Sequence, residues 1–375
     1  MPKYFDMLRN HKPDSPNRAN AAQDKLVTEE ELLTSQASSK QPASKASGPR
    51  RTTSREPVKT EPPATDDIIT NPDVWLNRCS RIMLSFLKAA ASNRVVPIEK
   101  LWLHLKPQLT AVINNEKQLS ALELKVSEDT LRIREMSDEF GGMLEKSMNM
   151  LLLSIKMGLQ LRMSEEATLS LLLAAMLHHI GLAQVPIAIR QKSSALTREE
   201  RQTIRGATHQ GVGYLRDCGI TDADTLLAIE QSQERIDGSG PLGLQGTEIS
   251  YMGRIIGLLS FFEALIHYRP YRQRMLPRDA IRDIILHHKA AFDTSLLKAL
   301  IDAASLYPIG TYVQLNSGDI GQVIHVHPRL PLRPTVLLSM DRKGQPIVQR
   351  EIDLQVQTTL LVERCMYPED IDQAL

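Results

Sequence analysis

The sequence predicts a mainly α protein that ends in a small β-barrel. Three observations carry this. Apolar residues recur at helical spacing from Trp75 to about residue 305, and the pattern changes to a period of two after Pro308. Composition agrees: aromatics are 4% of the chain, while Leu, Ile, Ala and Met are abundant.

Residues 1–66 hold 8 of the 21 prolines, set among Ser, Lys, Arg and Thr. A stretch such as SSKQPASKASGPRRTTSREPVKTEPPATDD has too little apolar surface to offset its ordering entropy, so a disordered arm is expected. Within it, YFDMLRN at 4–10 could dock as one or two helical turns. A free terminus with a few apolar residues is the plainer reading.

Helical spacing begins with Trp75, Leu76, Cys79, Met83, Phe86 and Leu87, after NPD as turn and cap. In the next helix, IEKLWLHLKPQLTAVINN, Pro107 is expected to kink or split the element. A third helix is expected over roughly 120–161, weakened midway by Gly141-Gly142. The segment SEEATLSLLLAAMLHHIG reads as a helix capped by Ser164 and ending at Gly181. Thr197 caps the following helix and Gly219 stops it, and YMGRIIGLLSFFEALIHYRPYR is another. PRDAIRDIILHHKAAFDTSLLKALIDAAS supplies the last pair.

Beyond Pro308, GTYVQLNSGDIGQVIHVH turns at Asn316–Asp319, and PTVLLSMDRKGQPIVQREIDL turns at Asp341–Gly344. Four or five short strands suggest an SH3-like barrel with its edges closed on themselves. The expected organisation is an arm over 1–66, an accessory helical region over 71–140, a helical domain over 141–305 and the barrel over 306–362.

The net charge of +1 points to no nucleic-acid partner. Cys79, Cys218 and Cys365 lie in no ligand or disulfide spacing, which suits a reducing compartment. The N-terminus has no apolar signal core, and no apolar run is expected to reach the roughly 18 residues of a membrane span. A cytoplasmic protein without membrane contact is expected.

Five stretches stand in one order: AAMLHHIGLAQVP, KSSALTREE, ERIDGSGPLGLQGTEIS, GRIIGLLSFFEAL and HYRPYR. Together they resemble the HD-GYP family, cytoplasmic helical phosphodiesterases that hydrolyse cyclic di-GMP at a site of two or three Fe or Mn ions. The resemblance covers about 140–305, and the β segment resembles the small domain that follows in one subgroup. Such hydrolysis needs bridging cations about 3.5–4 Å apart, histidine nitrogens and a bridging aspartate.

By the resemblance, most ligand positions are substituted. The family's first histidine falls at Lys146, whose ammonium would repel a neighbouring divalent cation. The His-Asp pair is His178-His179, so the histidine is kept and the carboxylate is not. Leu182 replaces a lysine, Ser232 and Gln233 replace two histidines, and Ser260 replaces the last aspartate. His209 mimics a ligand spacing, but an ungapped alignment puts Ala207 at that position. The two-residue insertion needed to recruit His209 would turn the helix by about 200°. In the GYP loop Glu234, Asp237, Gly238, Ser239 and Gly240 match, while the tyrosine is missing and the loop is one residue short.

Among basic residues, Lys192, Arg254, Arg269 and Arg272 occupy positions where the family contacts ligand phosphates. The plainer reading of Arg269 and Arg272 is helix capping and pairing with acids such as Glu263 or Asp279. The pair His287-His288 falls at a position that by the resemblance is normally not a ligand, and His325/His327 is two donors on one side of a strand, so no metal is assigned to either.

The substitutions favour a non-catalytic signalling or scaffold protein of a bacterial cyclic di-GMP-related pathway. It would have no catalytic residues, no cofactor, protein partners, and room for a homodimer. Two other readings stay open. One is a cyclic di-GMP effector that binds through the four basic residues without hydrolysis. The other is a phosphodiesterase with a metal site rebuilt from His178, His179 and His209.

Overall fold

The computed structural model describes residues 72–114, 132–192, 194, 196–266, 275–304, 306–327, 330 and 332–366. The expected arm, with YFDMLRN, lies outside the described residues.

Two helices, α1 (Pro72–Ala91) and α2 (Ile98–Ile113), precede the main bundle. Pro72 occupies the first turn of α1, where a missing N–H costs nothing. Of the kink or split expected at Pro107, the split does not occur: the proline lies inside one helix. Its ring is solvent-exposed, while Leu109, Val112 and Ile113 on the buried side anchor the last turn.

The third helix also differs from expectation. Helix α3 (Gly141–Gln160) begins at the glycine pair instead of being weakened by it. A Cβ on Gly141 would stand 1.8 Å from the Arg134 carbonyl oxygen, so the preceding turn folds back onto the helix start. Leu144, Met148, Leu151 and Ile155 of α3 are fully buried. At roughly 1.5–3 kcal/mol for each large apolar side chain, this row is a main source of stability.

Helix α4 (Glu165–Leu177) packs on α3 and is capped by the Ser164 hydroxyl, which accepts from Ala167 N at 3.2 Å. It stops at His178, and a 3₁₀ turn, Ile180–Gln184, follows. Gly181 is therefore not its stop. It sits where α6 (Arg198–Asp217) crosses, and a Cβ there would meet the Ala207 carbonyl oxygen at 1.8 Å. The short α5 (Ile187–Arg190) connects the two.

The window Glu165–Gln184 is long and apolar enough to cross a membrane by length and composition, which the sequence reading did not expect. Of that window 78% is buried inside the protein. A helix apolar on all sides is also what the centre of a bundle requires.

Thr197 and Glu200 form a reciprocal capping box on α6, and Gly219 follows its end with φ +94°. Helices α7 (Ala223–Glu230), α8 (Tyr251–Ile266), α9 (Pro277–His287) and α10 (Thr294–Ala303) complete the bundle. The first two helices belong to the same packed body. Tyr214 Oη donates to Arg94 O at 3.0 Å, and Thr110 and Asn114 both donate to the Glu165 carboxylate at 3.1 Å.

Five antiparallel strands form one sheet: β1 (Tyr312–Leu315), β2 (Ile320–His325), β3 (Thr335–Met340), β4 (Pro346–Asp353) and β5 (Val362–Cys365). Their order is β4-β3-β2-β1-β5. The small β domain is thus present, but its ladder does not close: β4 and β5 are opposite edges rather than neighbours. Part of the β5 edge is covered by α9, where Arg278 Nη1 donates to the Glu363 carbonyl at 2.8 Å. That contact seats the sheet on the bundle without barrel closure.

Candidate functional site

Because α4 ends at His178, both histidines leave the helix into the core, where they are 2% and 5% exposed. The Nδ1 of His178 lies 2.7 Å from the Ala175 carbonyl, which can only accept, so Nδ1 carries the proton. Nε2 then accepts from Ser260 Oγ at 3.3 Å. The Nε2 of His179 lies 3.0 Å from the Met143 carbonyl and is likewise a donor. Ser147 Oγ donates to Met176 O at 3.1 Å and stands 3.4 Å from His179 Nε2. The two rings meet edge-on at 4.7 Å.

The fold therefore brings His178 and Ser260 together, as their family positions require, and directs His179 towards the α3 backbone. Met143 O and Ser147 have no signal in the sequence, since only the packing of α3 on α4 presents them. Ser232 is buried and its hydroxyl has no partner among the described residues, while Gln233 donates to Thr208 at 3.3 Å. His209 lies on the surface, its side chain 78% exposed and 2.9 Å from Glu230. Ala207 faces Gly181 instead.

Glu234 has a backbone task. Its carboxylate accepts from Leu242 N at 2.8 Å and Leu244 N at 3.0 Å, which fixes the loop that follows. Gly240 packs so closely on it that a Cβ would fall 2.7 Å from Oε1. Glu234 and Gly240 are therefore one structural unit.

Lys192 is held by an acid the sequence reading did not pair with it. Its Nζ lies 2.8 and 2.6 Å from the two Glu200 oxygens, and Lys192 holds that carboxyl below the usual carboxylate range. Arg254 donates to Asp293 at 2.9 Å and stands 5.5 Å over the Tyr251 ring, while its buried Nε has no partner among the described residues. Burial opposes ionisation of Asp293, but bonds from Ser295 and the charge of Arg254 outweigh it and lower its pKa. Arg269 and Arg272 lie outside the described residues.

These donors do not fit a centre of two or three cations. At the positions that the resemblance assigns to ligands, His178 Nε2 accepts from Ser260 and His179 stands in place of the bridging carboxylate. Among the described residues no three His, Cys, Asp or Glu side chains are grouped to hold a metal ion.

Comparison with known proteins places the chain. A profile described as HD domain matches residues 130–296, and one described as KOW domain associated with HD domain matches 312–374. The cyclic di-GMP phosphodiesterase PA4108 of Pseudomonas aeruginosa is 32% identical over 220 residues, covering 58% of this chain and 52% of the relative. The cyclic di-GMP phosphodiesterase PdeB of Borreliella burgdorferi is 29% identical over 211 residues, covering 54% and 55%. The chain spans about half the length of these curated relatives. A solved structure, the HDG"Y"P protein Bd1817 of Bdellovibrio bacteriovorus, aligns at TM-score 0.48 and 17% identity, covering 63% of this chain and 72% of that one.

The expectation of no cofactor is corrected by these relatives. They belong to a family of metal-dependent phosphodiesterases, and membership carries metal ions as the implied cofactor. The misfit of the described donors is a property of this chain's residues and not a reason to set metals aside. Residues 130–296 match the HD domain family and residues 312–374 the KOW domain associated with it, and the curated relatives that share this part of the chain are cyclic di-GMP phosphodiesterases.

Proposed function

We propose that this protein is a non-hydrolysing HD-GYP-type signalling component of a bacterial cyclic di-GMP-related pathway, cytoplasmic and acting through protein contacts. The observation that carries this is the residue set at the ligand positions: Lys146, His179, Ser232, Gln233 and Ser260. Three histidines and two aspartates of the family pattern are here an ammonium, a core imidazole, two hydroxyls and an amide. Phosphodiester hydrolysis needs carboxylate and imidazole lone pairs directed at bridged cations; none of these five positions keeps the family's ligand, and the retained imidazole of His178 accepts from Ser260. In this reading 71–140 is an accessory region that braces the helical domain over 141–305, and 306–362 offers a second contact surface.

The test is direct. Full-length protein loaded with Mn²⁺ or Fe²⁺ is incubated with cyclic di-GMP and with 3'3'-cGAMP, and the products are separated by chromatography. Both dinucleotides are expected intact. Linear dinucleotide would overturn the reading in favour of a rebuilt site that includes His178, His179 and His209.

One observation favours a second reading, in which the protein binds a cyclic dinucleotide without cleaving it. Among the described residues the buried Nε of Arg254 has an N–H with no acceptor, which a phosphate oxygen would satisfy. Lys192, Arg269 and Arg272 would complete that contact, with Lys192 exchanging Glu200 for phosphate. Titration calorimetry with cyclic di-GMP decides it. Heat that disappears in R254A supports it, and no heat at tens of micromolar ends it.

A further inference from the structure

The second histidine pair of the β domain gains in the fold what it lacks in the sequence. His325 ends β2 and His327 follows two residues later, so both lie on one side of the chain. The β2–β3 register slips between Val323 and His325, a bulge of the kind that re-aims a side chain. The two rings stand with centroids 4.9 Å apart and planes at 79°. From β4, 26 residues further along the chain, Asp353 brings Oδ1 to 3.1 Å from His327 Nε2. Thr335, paired with both His325 and Asp353 in the sheet, places its hydroxyl 3.4 Å from the same nitrogen.

This arrangement sets the tautomer. A carboxylate can only accept, so His327 Nε2 carries the proton and Nδ1 keeps its lone pair. A carboxylate behind a histidine whose other nitrogen is a free base is the second-layer arrangement of metal-binding imidazoles. The ring separation suits one cation. An ion about 2.1 Å beyond a nitrogen of each ring lies about 3.2 Å from each centroid and subtends an angle of about 100°.

We propose that His325 and His327 form a divalent transition-metal site on the β domain, with Asp353 orienting His327 and water filling the remaining positions. Two neutral imidazoles select borderline ions such as Zn²⁺, Ni²⁺ or Cu²⁺ over Mg²⁺ or Ca²⁺. His325 is exposed and His327 has 20% of its side chain exposed, so solvent and ion can reach the pair. The site is separate from the core histidines and does not depend on the proposed function.

The experiment is zinc titration of tag-free, chelator-stripped full-length protein by calorimetry, with cobalt absorption as a second readout. Wild type is expected to take an equivalent that H325A and H327A each lose and H178A keeps. D353N should weaken that equivalent about 10–100-fold, with circular dichroism reporting that each variant is folded. Three results would overturn the site: no zinc taken by wild type at 100 µM, unchanged binding in the H325A/H327A double variant, or loss in H178A alone. If Asp353 merely ties β4 to β2, D353N lowers the melting temperature and leaves zinc affinity unchanged, which would remove its orienting role.

Discussion

Ser260 Oγ stands 3.3 Å from His178 Nε2, and the proton on His178 Nδ1 is directed at Ala175 O, so the hydroxyl is the donor. The contact joins α8 to the end of α4 inside the core and engages the nitrogen that a metal ligand would keep open. In this chain His178 and Ser260 work as a core hydrogen-bonded pair.

Removing the ring should therefore cost stability. H178A leaves a cavity and removes the ring that bonds Ser260 and the Ala175 carbonyl, so urea unfolding should show a loss of about 2–4 kcal/mol. S260A removes one partner only and should cost about 1–2 kcal/mol. Equal, negligible shifts in both variants would show that the pair contributes nothing to the core.

Glycine positions separate close approach from tolerance. A Cβ at Gly181 would meet backbone atoms, Ala207 O at 1.8 Å and Gly211 N at 2.9 Å, so G181A should destabilise by about 3 kcal/mol or more. Gly213, in the interior of α6, has nothing within 4 Å of its Cβ position. G213A should stabilise by about 0.5–1 kcal/mol. Thermal melts of the two variants should move in opposite directions.

The loop after Glu234 depends on one carboxylate. E234A removes the acceptor of the Leu242 and Leu244 amides, and hydrogen exchange over 238–246 should accelerate while α3 and α4 stay protected. Unchanged exchange in that loop would show that the turn holds itself.

Acid should weaken the Lys192–Glu200 contact. The folded carboxyl is held below its ordinary value of 4.5, first by the hydrogen bond from Lys192 and then by the Thr197 amide. A depressed carboxylate contributes stability above the unfolded value and loses it as pH falls through the folded one. E200Q should thus melt below wild type at pH 7, and the gap should close below about pH 4. A gap that is constant from pH 7 to pH 3 would contradict this.

Much of the fold is legible along the chain because it rests on neighbours in sequence. The Ser164 cap, the Thr197–Glu200 box and the Gly219 stop each need side chains within a few residues of one another. The change of period after Pro308 and the turns at Gly318 and Gly344 are equally local. The order of family stretches is likewise a linear property, and it marks Ser260 and His178 as residues of one pocket.

What spacing could not show is contact between distant segments. Gly181 reads as a helix stop, yet its position is set by the Ala207 backbone of a crossing helix. Pro107 reads as a break, yet burial of Leu109 and Val112 holds its helix together. Nothing in the spacing sets Glu200 beside Lys192, and β4 and β5 read as closing edges until the ladder leaves them apart.

The sequence by itself determined the helical and β segments, their caps and turns, the HD-GYP resemblance and the substitutions at its ligand positions. Only the tertiary structure decided what the remaining side chains do. It turned His179 onto the α3 backbone, gave Glu234 to a loop, and carried Asp353 across two strands to His327. The physical reason is range. Propensity and periodicity act over a few residues, whereas a tautomer or an ion pair is fixed by atoms about 3 Å apart in space whatever their separation along the chain.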